Sequence, residues 1–224
     1  MEQTDQGVTL KLEGKVEQSL TCDKVLVAAG RKPCIDGLGL EEAGIKLDET
    51  RRIAVDNNYQ TSVPNIYAIG DLIHGPMLAH KAMDEGTVFA ERLAGENPAV
   101  DYNLIPGVVY THPEAASIGA TEEQLKEQNT PHKVGRFPFM ASGRARAMDN
   151  VDGFVKVLAN PDSGRILGVH IIGPCASELI SEAVTIMAFA GSVEDVALTM
   201  HAHPTLSEAF KEAALGAFGK AVHA

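Results

Sequence analysis

Cysteine is scarce in this sequence of 224 residues, and its placement excludes several kinds of site. Cys22, Cys34 and Cys175 show neither Cys-x-x-Cys spacing nor the spacing of metal ligands. An odd number of cysteines does not suggest a disulfide framework. We therefore expect reduced thiols, no metal site and an intracellular protein.

Positive charge is also in short supply. Lys and Arg number 19 against 30 Asp and Glu, which gives a formal net charge of -11. Nucleic-acid binding requires clustered Lys and Arg, so we expect no nucleic-acid partner. No apolar run reaches the roughly 18 residues that a membrane helix needs, and the beginning of the sequence lacks the regions of a signal peptide. A hydrophobic content of 45% suits the core of a soluble protein with one or two domains.

The sequence does contain a histidine-rich bend, which reads His-Ala-His-Pro-Thr-Leu-Ser-Glu over residues 201–208. Pro204 disfavours the helical conformation at His203, and the apolar and acidic residues that follow predict a new helix through Leu215. Glu208 would lie on the first turn of that helix. A carboxylate on the far nitrogen of an imidazole fixes its tautomer and stabilises the imidazolium. His203 and Glu208 are therefore candidates for a general acid/base pair.

The same residues allow a different interpretation. Thr205 to Glu208 fits a capping box, in which Glu208 folds back to the backbone amide of Thr205. One carboxylate can also serve both purposes. The sequence leaves these alternatives open.

The first hundred residues predict short strands and loops. Val8–Leu12 and Val16–Leu20 flank a turn and predict a hairpin, and Lys24–Ala29 reads as a buried strand. We expect that the sequence begins inside a domain, because nothing upstream of the hairpin could pair with that strand or cover it. Gly30 opens a glycine-rich loop.

A second group of motifs centres on Asp71. Ile53–Val55 and Ile66–Ile69 predict short strands, the second of which ends in Gly70-Asp71. Such an Asp either presents a carboxylate to a sugar hydroxyl or serves as an ordinary turn or helix cap. Apolar residues at three- and four-residue intervals from Leu78 then predict a buried helix that stops before Gly95.

The amino end of this helix follows shortly after Asp71. Its amides could face whatever Asp71 binds, with residues 77–80 (Met77, Leu78, Ala79 and His80) as the contact point. A plain core helix is the alternative.

From Tyr102 onward the pattern predicts an α+β domain. Four prolines interrupt short strands, namely Pro106, Pro113, Pro131 and Pro138. Phe154–Ala159 and Ile166–Ile172 predict a hairpin. Ser177 is expected to cap a helix that ends at Gly191, and Ser192–Asp195 to cap the next. The apolar stretch from Ile180 to Phe189 fits either the core or a subunit interface.

Four segments in this order resemble the carboxyl-terminal part of the dihydrolipoamide dehydrogenases, a family of flavoprotein disulfide reductases. They are residues 68–71 (Ala-Ile-Gly-Asp), 77–82 (Met-Leu-Ala-His-Lys-Ala), 110–114 (Tyr-Thr-His-Pro-Glu) and 201–208. The resemblance covers essentially the whole chain. Glutathione reductases share the His-Pro-Thr bend but resemble residues 77–82 poorly, and mercuric reductases end in paired cysteines that this sequence lacks.

The resemblance implies an α+β interface (dimerisation) domain preceded by partial α/β, Rossmann-like segments. Residues 1–30 would end an NAD-binding domain, 31–100 would return to an FAD-binding domain, and 101–224 would form the interface domain. It implies a homodimer that uses FAD and NAD to oxidise dihydrolipoamide on lipoyl domains of 2-oxo acid dehydrogenase complexes or the glycine cleavage system. The location would be the bacterial cytoplasm or the mitochondrial matrix.

The same resemblance assigns roles to single residues. Gly30 would lie by NAD, Asp71 by the sugar-like portion of FAD, and residues 77–80 under the flavin ring. His203 would be the catalytic base and Glu208 its partner. Two features of the family are missing: the sequence has no Gly-x-Gly-x-x-Gly turn and no redox cysteine pair. We therefore expect a fragment that is inactive alone, and the alternative is a non-enzymatic dimerisation module.

Overall fold

The structure is a computed structural model that describes residues 2–4, 7–15 and 17–223. The chain divides into two compact units, Met1–Leu93 and Ala94–Ala224. Within the described residues, no helix has both the length and the apolar character needed to cross a membrane.

The first unit begins with three antiparallel strands, β1 (Glu2–Thr4), β2 (Gly7–Leu12) and β3 (Gln18–Cys22). The predicted hairpin is confirmed as β2 and β3, which pair from Val8 opposite Cys22 to Leu12 opposite Gln18. Its second strand starts later than predicted, and Val16 lies outside the described residues. β1 adds an upstream strand that the sequence did not predict.

The predicted strand at Lys24–Ala29 is wrong. These residues form no strand, and the side chain of Leu26 is 91% exposed. An apolar run becomes a strand only where a neighbouring strand supplies backbone partners, and β1–β3 form a sheet without this segment.

The two strands predicted before Gly70 shrink to isolated bridges, Leu47 with Ile53 and Gln60 with Tyr67. Aspartates hold the intervening loops tightly, because Asp48 Oδ1 accepts the amides of both Thr50 and Arg52. Short loops of this kind leave little chain for extended pairing. The backbone then turns through a single 3₁₀ turn at Gly70–Leu72.

The predicted helix is present as α1 (Ala79–Leu93), and it ends before Gly95 as expected. Its buried face is not the predicted one. Met83 is 70% exposed, whereas Lys81, Glu85 and Val88 are buried. The apolar periodicity therefore identified the helix but not the side that packs against the rest of the unit.

The second unit contains an antiparallel sheet of order β4-β5-β8-β7-β6 within the described residues. Its strands are β4 (Gly107–Val109), β5 (Glu114–Gly119), β6 (Lys133–Pro138), β7 (Phe154–Ala159) and β8 (Ile166–Gly173). The predicted hairpin is confirmed as β7 and β8. The four prolines fall at or near strand ends, where a missing N–H costs least.

The helices of this unit are α2 (Glu122–Glu127), α3 (Gly143–Ala147), α4 (Ala176–Ala188), α5 (Val193–Leu198) and α6 (Glu208–Gly216). The helix predicted after Pro204 is α6. α4 and α6 pack on the sheet and close a core to which Val157, Ile180 and Phe210 belong. Ile180 is thus in the core, while Phe189 is 85% exposed.

One of the two predicted helix caps is confirmed and the other is wrong. Ser192 and Asp195 form the expected capping box at α5. The Ser177 cap is wrong, because α4 begins directly after Cys175 and Ser177 lies inside it. The Ser177 amide instead donates to Glu114 Oε2 at 2.9 Å, so a carboxylate from β5 satisfies the start of α4. This amide holds the pKa of Glu114 below its usual value.

Candidate active site

The segment between α5 and α6 carries His203, and hydrogen bonds at both ends fix its path. Lys211 Nζ donates to the carbonyl oxygen of Thr199 at 2.7 Å. The Thr205 hydroxyl donates to the carbonyl oxygen of Ala202, also at 2.7 Å. The His203–Pro204 peptide bond is cis. The imidazole therefore projects from a bend that is anchored before and after it.

His203 and Glu208 are in direct contact. His203 Nδ1 lies 2.8 Å from Glu208 Oε1, and the Thr205 amide donates to Glu208 Oε2 at 2.8 Å. The Glu208 carboxylate therefore does what both interpretations predict. One oxygen contacts the imidazole of His203, and the other accepts from the backbone amide of Thr205. The box is incomplete, because α6 begins after Ser207 rather than after Thr205, and Ser207 makes no side-chain cap hydrogen bond.

This geometry sets the tautomer of His203. An ionised carboxylate only accepts hydrogen bonds, so Nδ1 carries the proton and Nε2 is the basic nitrogen. The imidazole is 78% exposed, whereas the side chain of Glu208 is 28% exposed. His203 can thus meet a substrate from outside while the partly buried Glu208 holds its orientation.

The charge of Glu208 is maintained at neutral pH. Burial raises the pKa of Glu208, but the Thr205 amide, and then the hydrogen bond and charge of His203, outweigh it and leave the net pKa below the ordinary glutamate value. A carboxyl with a lowered pKa in the folded state stabilises the fold above its unfolded pKa. That contribution is lost as the pH falls through the lowered value.

A second histidine–carboxylate pair lies beside the first, and no sequence motif predicts it. His201 Nε2 is 2.7 Å from Glu182 Oε1, and His201 Nδ1 is 3.0 Å from the Thr199 carbonyl oxygen. Both ring nitrogens of His201 therefore lie within hydrogen-bond distance of an oxygen. The pair links α4 to the bend that carries His203. The only sequence signal was His201 itself, because Glu182 is 19 residues away.

The other candidate residues lie in the first unit. Asp71 is exposed in the 3₁₀ turn, which packs against α1. Met77 and Leu78 are half-buried just before α1, and Ala79 and His80 are exposed on its first turn. A carboxylate can accept hydrogen bonds from the hydroxyl groups of the sugar portion of a flavin. The amino end of a helix favours negative charge, which suits the flavin ring.

Gly30 lies in an exposed loop with φ of +89°. The neighbouring Arg31 reaches the carbonyl oxygen of Met77 at 3.5 Å. The structure thus brings the Gly30 loop near the segment that precedes α1.

Family models match both units. The model described as pyridine nucleotide-disulphide oxidoreductase matches residues 1–86, and the model for the dimerisation domain of the same family matches residues 105–214.

Individual relatives agree with these matches. The chain is 50% identical over 229 residues to the mitochondrial dihydrolipoyl dehydrogenase of Mus musculus, covering 97% of this chain and 45% of that protein. It is 51% identical to that of Caenorhabditis elegans, covering 99% and 46%. The chain thus spans about half the length of the curated relatives it matches.

Solved structures show the same likeness. LpdA from Mycobacterium tuberculosis superposes with a TM-score of 0.86 at 27% identity, covering 95% of this chain and 46% of that one. The HOCl-induced flavoprotein disulfide reductase RclA from Escherichia coli, as its Cu(II) complex, gives 0.86 at 26% identity, covering 95% and 48%. The resemblance seen in the four sequence segments is confirmed, and the chain belongs to the pyridine nucleotide-disulphide oxidoreductase family.

Proposed function

We propose that this chain is the part of an NAD-dependent dihydrolipoamide dehydrogenase that carries the acid/base and the dimer interface. The observation that carries the proposal is the contact of 2.8 Å between His203 Nδ1 and Glu208 Oε1, on a bend whose imidazole is open to solvent. The likeness to dihydrolipoyl dehydrogenases at about half of all positions supports the choice of substrate.

His203 acts on the dihydrolipoyl dithiol. Its Nε2 accepts the proton of one thiol, and Glu208 stabilises the resulting imidazolium. The thiolate then attacks a protein disulfide, so that one sulfur–sulfur bond forms as another breaks and a cysteine thiolate leaves. This disulfide belongs to a part of the enzyme that the present chain does not contain. The second lipoyl thiol would then displace the remaining cysteine, which closes the lipoyl disulfide and leaves both cysteines reduced. FAD, when bound, would supply the two-electron transfer from these cysteines to NAD.

The remaining candidate residues fit the same assignment. Residues 1–30, 31–100 and 101–224 would belong to the NAD-binding, FAD-binding and interface domains. Gly30 lies by NAD, Asp71 accepts from sugar hydroxyls of FAD, and residues 77–80 face the flavin ring. The lipoyl domains of 2-oxo acid dehydrogenase complexes or of the glycine cleavage system would deliver the dithiol. The location would be the mitochondrial matrix or the bacterial cytoplasm, and the names of the relatives call those proteins mitochondrial.

The substrate assignment is tested with the full-length enzyme that contains this chain. We expect NADH formation from NAD and dihydrolipoamide, and no oxidation of NADPH by glutathione disulfide. Turnover of glutathione disulfide without turnover of dihydrolipoamide would replace this proposal by a glutathione reductase.

The chain alone is expected to bind FAD weakly or not at all. Asp71 and residues 77–80 supply only part of a flavin site, and the sequence has no Gly-x-Gly-x-x-Gly turn for the pyrophosphate. Flavin absorbance after mixing with FAD and desalting measures this. Stoichiometric yellow protein would contradict the expectation, whereas colourless protein would fit the alternative that this chain by itself is a dimerisation module.

The chain is also expected to dimerise at micromolar concentration. Some large apolar side chains of the second unit are at least 80% exposed, namely Tyr110, Phe189, Leu198 and Met200. Large apolar side chains, aromatic ones and Met above all, are enriched where protein subunits meet. Phe189→Glu would place a charge there, and we expect at least about a tenfold weaker dimer in sedimentation equilibrium. Leu93→Glu, at an exposed leucine of the first unit, is the control. A monomeric wild-type chain would contradict the prediction.

A further inference from the structure

The most deeply buried charges of the first unit lie on α1. Lys81 and Glu85 are one turn apart, both side chains are fully buried, and Lys81 Nζ lies 3.0 Å from Glu85 Oε1. Removing two charges from water is costly, and the attraction between them does not always compensate for the loss of hydration. An apolar pair of similar volume would often be as stable. Packing alone therefore does not explain why this helix buries a lysine and a glutamate.

The pair holds both backbone groups of Gly70. Lys81 Nζ donates to the Gly70 carbonyl oxygen at 2.9 Å, and the Gly70 amide donates to Glu85 Oε2 at 2.7 Å. Hydrogen bonds with charged groups are stronger than neutral ones. Lys81, Glu85 and the Gly70 backbone thus form a closed ring of three short contacts, called here the Gly70 clamp.

The clamp acts on the direction of Asp71. The Gly70 amide belongs to the peptide group before Gly70, and the Gly70 carbonyl belongs to the peptide group shared with Asp71. With both groups held, the backbone from which Asp71 projects is fixed. Gly70 itself has φ of +71°, a conformation that side chains other than glycine rarely adopt, and an added Cβ would lie 3.1 Å from Ala82 Cβ. The turn is therefore determined by glycine and by the clamp.

We propose that Lys81 and Glu85 are positioning residues that fix the Gly70 backbone so that the exposed Asp71 carboxylate meets hydroxyl groups of a flavin's sugar-like chain. This inference rests on the proposed function, in which Asp71 binds that part of FAD. Lys81 and Glu85 act through the backbone and do not touch the cofactor. Preorganisation of this kind raises affinity for FAD, because the carboxylate is already in position and its ordering takes no free energy from binding.

The test uses the double variant Lys81→Met/Glu85→Gln. Glutamine keeps an acceptor for the Gly70 amide, methionine fills the volume of the lysine stem, and the double change removes both charges. In the chain without FAD, we expect hydrogen exchange at the Gly70 and Asp71 amides to quicken at least about tenfold, whereas exchange at the amides of α1 stays as in the wild type. The midpoint of thermal unfolding should change little. Asp84→Asn, an exposed charge neutralisation on the same helix, should leave exchange at both amides unchanged.

The second readout is FAD in the full-length enzyme. We expect the double variant to raise the FAD dissociation constant about tenfold, the effect of losing one hydrogen bond to a charged group, and to alter the visible circular dichroism of the bound flavin. Unchanged exchange at Gly70 and Asp71 would overturn the clamp. So would faster exchange along all of α1 with a lower unfolding midpoint, which is the signature of a packing role.

The variant Asp71→Asn separates the two proposals. If it weakens FAD binding while the double variant binds like the wild type, the clamp is overturned and the role of Asp71 stands. If Asp71→Asn binds FAD like the wild type, the proposed function fails at this residue, and the exchange measurement alone decides whether the clamp holds the turn.

Discussion

His203→Gln in the full-length enzyme is expected to slow dihydrolipoamide oxidation by about 100- to 10,000-fold, the usual contribution of a positioned acid/base. Glutamine has the size to occupy the bend but no nitrogen that accepts a proton near neutral pH. The initial rate of NADH formation from dihydrolipoamide and NAD measures the effect. Transfer of electrons from NADH to an artificial acceptor needs no proton from a lipoyl thiol, so it should survive better.

His112→Gln is a matched control for this experiment. His112 also precedes a proline, is exposed, and has a glutamate two residues later. That glutamate, Glu114, accepts the Ser177 amide at the start of α4. We expect lipoamide turnover close to that of the wild type. Unimpaired turnover in His203→Gln would exclude the catalytic interpretation.

Glu208→Gln distinguishes the two bonds that this carboxylate makes. Glutamine can still accept from the Thr205 amide, but it carries no charge to stabilise the imidazolium of His203. We expect a smaller loss of activity than in His203→Gln, together with a changed pH–rate profile. An unchanged profile would mean that Glu208 acts only as a cap.

Sequence patterns predicted those elements whose causes lie within a few residues. The hairpin of β7 and β8 follows from two apolar runs around a turn, and α5 follows from its capping box at Ser192 and Asp195. The contact of His203 with Glu208 also spans only five residues. In each case the residues that make the interaction are neighbours in the sequence, so their types and spacing carry the information.

The failures depend on partners that are distant or unexpected. Lys24–Ala29 has the composition of a strand but lies outside the sheet of its unit. The orientation of α1 was predicted from its apolar residues, yet Lys81 and Glu85 are buried because the Gly70 backbone offers them partners. The Glu182–His201 and Glu114–Ser177 contacts span 19 and 63 residues, beyond any local motif.

The sequence likewise does not predict the close approach of α6 to the sheet. Because of this close approach, we expect a large loss of stability in Gly135→Ala. A Cβ at Gly135 in β6 would overlap the carbonyl oxygen of Ala213 and the amide nitrogen of Ala217. Both obstructing atoms belong to the backbone, so no change of rotamer relieves the clash. The helix would have to move away from the core in which its own Phe210 is buried.

We expect Gly135→Ala to lower the free energy of unfolding by about 3 kcal/mol, at the upper end of the usual cost of overpacking. Urea unfolding followed by circular dichroism measures it. Because α6 carries Glu208, its displacement should also quicken hydrogen exchange at the Thr205 amide, which Glu208 now accepts. Gly143→Ala is the control, since its Cβ would meet nothing within 4 Å and the change reduces the entropy of the unfolded chain. Equal stability of the two variants would show that α6 does not rest on β6 at Gly135.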